Sequence, residues 1–205
     1  MKIAVVGGTG DFGLALARRL AQAGEYVVIG SRDGERARAK AAEAGAAAGV
    51  ANADAVQGVD LVVLAVKAEA ALPTAADLVD AIGTTPVLSV ASELRFTKAG
   101  VYPTDDPRSV AERTQELLHG PVVAGLQSLA ASSLAEGKAD GDALVCGDDP
   151  AAKELALALA AQVVAGRALD AGPLASARAL EGMTAVIVNL NRRYKGHAGV
   201  RISGL

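Results

Sequence analysis

Met1-Lys2-Ile3-Ala4-Val5-Val6-Gly7-Gly8-Thr9-Gly10-Asp11-Phe12-Gly13 opens the chain, and Leu14-Ala15-Leu16-Ala17-Arg18-Arg19-Leu20-Ala21 follows without a break. An apolar run that stops at a glycine cluster and resumes as alanine and leucine at helical spacing reads as strand, tight turn and helix. Gly8, Gly10 and Gly13 have the spacing of the dinucleotide fingerprint. One glycine permits the turn, one lets backbone approach a pyrophosphate, and one lets the helix pack closely on the strand. The helix start then offers free N–H groups and the positive end of its dipole to phosphate. Alone, such a triplet equally fits a plain strand-to-helix turn, so its flanking strand and helix carry the dinucleotide reading.

The second strand ends Val27-Val28-Ile29-Gly30-Ser31-Arg32. NAD-specific sites place an acidic residue there for the ribose hydroxyls, whereas Ser31 and Arg32 suit the 2′-phosphate of NADP. Arg32 can bracket a phosphate with its planar fork, Ser31 can donate a hydroxyl, and Arg36 lies one turn into the next helix. The competing reading makes Arg32 and Arg36 solvated charges on an exposed helix start. Asp33 and Glu35 fit the phosphate reading if their side chains point away from the ribose.

Outward from this unit, continuous apolar runs at 3–6, 26–29, 60–66, 87–90 and 122–125 predict buried parallel strands. Helices are predicted over 11–23, 33–44, 69–82 and 107–118. The alternation is that of an α/β, doubly wound, Rossmann-type parallel sheet. After Gly125 the rhythm changes. Residues 130–141 lack clear periodicity, 142–146 and 167–170 read as strands, and 151–164 and 174–194 as helices, with Pro150 at a first helical position. The chain is therefore expected to divide into a nucleotide-binding domain, 1–125, and a small C-terminal α/β lobe, 126–205.

The 205 residues carry a net charge of −3 with scattered basic residues, which argues against a nucleic-acid surface. Apolar runs are of strand length or alanine-rich, and Met1 leads straight into a core strand, so a cytoplasmic protein with no membrane association is expected. The single cysteine, Cys146, excludes an intrachain disulfide and reads as a buried structural thiol. His119 and His197 are far apart and form no ligand motif, so no metal site is expected.

The last stretch, Leu169-Asp170-Ala171-Gly172-Pro173-Leu174 through Asn189-Leu190-Asn191-Arg192-Arg193-Tyr194-Lys195-Gly196-His197-Ala198-Gly199-Val200-Arg201-Ile202, adds longer motifs. With Gly7-Gly8-Thr9-Gly10, Gly30-Ser31-Arg32 and Val145-Cys146-Gly147-Asp148-Asp149, the sequence resembles the F420:NADP oxidoreductases nearly end to end. The resemblance implies a homodimer that passes a hydride between the nicotinamide C4 of NADP(H) and C5 of the deazaflavin coenzyme F420. Both rings would stack in one cleft, and the C-terminal lobe would cover the deazaflavin and contribute to dimerisation. It assigns NADP contacts to Thr9, Ser31, Arg32 and Arg36, pyrophosphate backbone to Gly7, Gly8, Gly10, Asp11 and Phe12, and the nicotinamide border to Val66 and Lys67. Two departures stand out. Lys67-Ala68 occupies positions where the family often has proline and an aromatic, and Leu126-Gln127-Ser128-Leu129 lacks the histidine the family generally carries after the fifth strand.

Gln127, Ser128 and Leu129 are the candidate F420 contacts, because the amide and hydroxyl have donor and acceptor capacity. Ser128, Ser132 and Ser133 equally fit an ordinary polar loop. No protein acid, base or nucleophile is expected, since alignment of two organic rings suffices for hydride transfer. Leu180, Met183, Thr184, Ile187, Leu190 and Asn191 recur at helical steps, the mark of a core or subunit stripe. Arg192, Arg193 and Lys195 either complement a helix C-terminus or rim an anionic coenzyme tail. Two rival functions fit the same first half: a reductase acting on an imine or dehydroamino acid, and a non-catalytic NADP-sensing module.

Overall fold

Strand residues alternate between two apolar faces, and the core divides accordingly. The computed structural model describes residues 1–205. Its elements are β1 (Lys2–Val6), α1 (Asp11–Gln22), β2 (Tyr26–Ser31), α2 (Gly34–Ala44), β3 (Ala48–Ala51), α3 (Asn52–Ala55), β4 (Leu61–Leu64), α4 (Ala68–Ile82) and β5 (Val87–Ser89). A hairpin follows, β6 (Leu94–Phe96) and β7 (Val101–Pro103), then α5 (Val110–Gln115), β8 (Val122–Gly125), α6 (Ala131–Glu136), β9 (Ala143–Gly147), α7 (Pro150–Val163), β10 (Ala168–Asp170), a 3-10 turn (Leu174–Ser176) and α8 (Ala177–Tyr194).

Ile3, Val5, Val27, Ile29 and Val63 pack against α1, α2 and α7 on one face of the sheet, while Ala4, Val6, Val62 and Leu64 pack against α4, α5 and the start of α8 on the other. The eight strands run in the order β3-β2-β1-β4-β5-β8-β9-β10. Every pair from β3 to β8 is parallel, so their carboxyl ends emerge on one side of the sheet. Placing β1 between β2 and β4 opens a crevice at that side, where doubly wound sheets hold ligands.

β9 reverses against β8, pairing Ala124 with Cys146, and β10 runs parallel to β9. Residues 126–205 thus contribute strands to the same sheet instead of building one of their own. The 130–141 segment, which lacks a periodic signal, contains α6, seated on α1 by Arg19, whose Nε donates to Leu134 O at 2.6 Å and Nη2 to Ala135 O at 2.9 Å. Two further features lie beyond the sequence pattern: edge strand β3 with its one-turn helix α3, and the β6–β7 hairpin. The hairpin is fastened to α8 by Asn189, whose Oδ1 accepts from Val101 N at 2.9 Å and whose Nδ2 donates to Val101 O at 2.8 Å. The helix expected over 107–118 is observed as the shorter α5, its start fixed at Val110 by the capping box of Ser109 and Glu112.

Candidate functional site

The turn after β1 is shaped by Gly7, at φ +82°, whose N–H donates to Gly30 O at the end of β2, 3.1 Å away. Gly13 brings α1 against this turn: a Cβ there would stand 2.6 Å from Gly7 O, a contact backbone cannot relieve. A Cβ on Gly10 would meet only Gly7 O, at 3.5 Å, so that position faces open space. Gly10 caps α1 without a side-chain hydrogen bond, which leaves the first-turn N–H groups directed at the crevice. By contrast, α2, α5 and α7 have their starts closed by Asp33, Ser109 and Asp149.

Asp33 resolves the charge question at the end of β2. Its carboxylate accepts from Glu35 N at 3.0 Å and Arg36 N at 3.1 Å, and Glu35 pairs with Arg38 at 2.6 Å. Both acids are thereby occupied within α2. Arg32 and Arg36 are exposed and form no ion pair; Arg36 Nη2 reaches only Thr9 O, at 3.4 Å. Ser31 is buried with its Oγ accepting from Asp33 N at 3.2 Å, so its own hydroxyl proton remains free.

A cleft of about 930 Å³ lies at the strand ends. One wall carries Thr9, Gly10, Asp11, Phe12 and Arg36, the floor Val66 and Lys67, and the far wall Gln127, Leu129 and Thr184. Gly7 and Gly8 shape the turn from beneath, while Ser31 and Arg32 stand at the end of β2 outside the cleft wall. Ser128 turns away from it: the side chain is buried and its hydroxyl donates to Asp142 O at 3.4 Å. The sequence pattern does not single out Ser92, Glu93, Leu94 and Phe96, which the hairpin and the loop before it bring to the cleft. A short alternating run, Leu94-Arg95-Phe96, was the available signal.

The far wall is internally hydrogen-bonded. Gln127 Nε2 donates to Ser89 O at 3.3 Å, and Thr184 Oγ1 donates to Gln127 O at 2.9 Å. Since that hydroxyl proton is committed, Ser92 Oγ must be the donor to Thr184 Oγ1, 2.9 Å away. Gln127 Oε1 and Ser89 Oγ are buried without partners. One turn before Thr184, burial pushes the Glu181 carboxyl up to about 7, although Oε1 accepts from Val110 N at 2.7 Å and Ala111 N at 3.4 Å. At the cleft mouth, Arg192 stacks 5.5 Å from the centroid of the Phe96 ring.

The uncapped helix start, the open space at Gly10 and the unpaired guanidinium groups suit a phosphorylated dinucleotide. The cleft has the volume of a ligand site. Residues 2–93 match the family model described as NADP oxidoreductase, coenzyme F420-dependent. An F420-dependent NADP reductase of Methanothermobacter thermautotrophicus is 38% identical across 100% of this chain and 96% of its own length. The chain belongs to the F420-dependent NADP reductase family. Its counterpart in Methanocaldococcus jannaschii is 36% identical over 100% of this chain and 99% of that protein. A solved structure from Arthrobacter sp. FB24, described as a candidate F420-dependent NADP reductase, superimposes with a TM-score of 0.85 at 25% identity, covering 100% of this chain and 99% of that one. No helix is long and apolar enough to cross a membrane.

Proposed function

We propose that this chain is an oxidoreductase passing a hydride between NADPH and coenzyme F420, reversibly, within the cleft at the strand ends. A single observation carries the reading: residues of the dinucleotide half, Thr9 to Phe12 and Arg36, face Gln127, Leu129 and Thr184 across one continuous cleft. The nicotinamide and deazaflavin rings supply the redox chemistry themselves, one giving and the other taking the hydride.

The protein's part is alignment. Gly10 and the start of α1 hold the pyrophosphate, Ser31, Arg32 and Arg36 hold the 2′-phosphate, and Val66 and Lys67 border the nicotinamide. Gln127 and Leu129 form the wall against which the second ring lies, with Ser128 contributing from behind. No side chain exchanges a proton in the hydride step. Residues 1–125 bind NADP and 126–205 cover the deazaflavin. The protein works as a cytoplasmic homodimer. Support for the dimer comes from an exposed apolar line on α8, Val186 (58% exposed), Leu190 (41%) and Tyr194 (72%).

Rapid mixing of the protein with NADPH and oxidised F420, following the deazaflavin's visible absorbance, tests the reading. Fast bleaching with NADPH and little with NADH is expected. Intact NADPH binding without bleaching would overturn it and direct the search to small unsaturated acceptors.

A further inference from the structure

The turn that forms the far wall is fastened from behind by the end of the chain. Leu126, fully buried, sits at φ +69°, a conformation a leucine keeps only where its surroundings enforce it. Its carbonyl accepts from Leu129 N at 3.0 Å, closing the turn. Gln127 and Leu129 face the cleft, and between them Ser128 reaches back to Asp142 O.

Asp142, 2% exposed, is the anchor for the last residues. α8 ends where Lys195 takes a left-handed conformation, φ 52°, and the chain doubles back instead of continuing outward. Asp142 N donates to Val200 O at 2.6 Å. Its carboxylate accepts from Arg167 N at 2.8 Å, Arg167 Nη2 at 2.9 Å and Ile202 N at 2.8 Å. Arg167 also donates to the carbonyls of Ile202 and, at 3.1 Å, Leu205. These donors hold the Asp142 carboxyl well below the usual carboxylate range, Arg167 foremost. A second fastening lies just past the turn, where Ser132 Oγ and His197 Nδ1 are 3.0 Å apart. The backbones meet closely enough only because two glycines face each other: a Cβ on Gly141 would stand 2.6 Å from Val200 O, and one on Gly199 2.5 Å from Asp140 O.

We propose that residues 195–205 are a strap that sets the position of the 126–130 turn and the start of α6, with Asp142, Arg167 and His197 as positioning residues for the second coenzyme. The proposal rests on the reading of that coenzyme as F420 given above. The strap meets the turn through Asp142 and Ser128 on one side and through Ser132 on the other. Arg19 fastens only the far end of α6 to α1. None of the strap's hydrogen bonds reaches the residues assigned to NADP, so releasing it separates the two coenzymes.

The test compares the full chain with a chain ending at Tyr194, and with full-length His197→Ala, Arg167→Ala and Arg167→Lys. NADPH affinity, read by its fluorescence, stays within about twofold of the full chain throughout, as expected for a site sharing no strap contact. The KM for F420 rises about tenfold or more in the truncated chain and Arg167→Ala, less in Arg167→Lys and His197→Ala, with kcat changing less than KM. Amide exchange across 126–134, measured without any coenzyme, accelerates about tenfold in the truncated chain while β1 and α1 stay protected. Unchanged F420 KM and unchanged exchange in a chain that still binds NADPH would overturn the strap. A full-length protein that binds NADPH and never reduces F420 would instead overturn the functional reading, and the exchange measurement alone would then decide the strap. If the truncated chain fails to bind NADPH because it does not fold, the same readouts on His197→Ala and Arg167→Lys decide it.

Discussion

Arg32→Ala removes one charge at the end of β2 and nothing else. Arg32 is exposed and pairs with no carboxylate, because Asp33 is occupied by Glu35 N and Arg36 N and Glu35 by Arg38. The substitution therefore leaves no protein group unsatisfied, and stability should hold. A hydrogen bond to a charged group contributes about 1.5–3 kcal/mol; solvent exposure at this site favours the lower end, about 1.5–2 kcal/mol. At about 1.4 kcal/mol per tenfold, the Kd for NADPH rises roughly 10- to 30-fold. NADH has no 2′-phosphate, so its Kd moves less than about twofold. Titration of both coenzymes by fluorescence measures the difference, and salt supplies an internal check. Raising it from about 0.1 M to 1 M shortens the screening length from about 10 Å to 3 Å and should narrow the gap between wild type and variant. Equal weakening of NADPH and NADH, or an unmoved NADPH Kd, would refute the assignment of the 2′-phosphate to Arg32.

Gly13→Ala drives a methyl to within 2.6 Å of Gly7 O and displaces α1; urea titration should show a loss of about 1–3 kcal/mol, with NADPH and NADH weakened alike. Ser109→Ala removes the capping box of α5 and should cost about 1 kcal/mol by the same titration, with NADPH affinity unchanged. Glu181 titrates at about 7 in the folded protein against an ordinary 4.5, so the native state binds the proton more tightly and the stability this gives is lost as pH rises through 7. The shift corresponds to about 3 kcal/mol across that window. Glu181→Gln should flatten the fall in urea midpoint between about pH 5 and pH 7.5, and an unaltered slope would exclude Glu181 as its source.

The first crossover was legible because its signals are local. A continuous apolar run, a glycine cluster and an alanine-leucine helix each declare themselves within a few residues, and β1, α1 and β2 fall where the pattern puts them. The edge strand β3 was not legible, since Ala48-Gly49-Val50-Ala51 is short and has little apolar bulk. It forms because Gly49 lets it lie against α2, where a Cβ would stand 2.1 Å from Ala37 O. The hairpin depends on Asn189, far along the chain, a partner no local window contains. In the far wall, sequence could nominate Gln127 and Ser128 but could not separate them. The left-handed turn at Leu126 decides which faces the cleft, and nothing in that residue's chemistry announces it. Thr184 appeared only as one member of an apolar stripe on α8; its hydroxyl acquires meaning once Ser92 and Gln127 are beside it.

The bond pair between Asn189 and Val101 also determines what the hairpin presents to other molecules. β7 pairs with β6 along one side, leaving Val101 and Pro103 to define its free side. The Asn189 amide takes both the N–H and the carbonyl of Val101, and proline has no N–H to offer. An incoming strand therefore finds no donor on that margin, although the exposed rings of Phe96 and Tyr102 lie alongside it. The exposed aromatics can engage another surface through their faces without β7 templating a further strand, which guards that margin against edge-to-edge pairing.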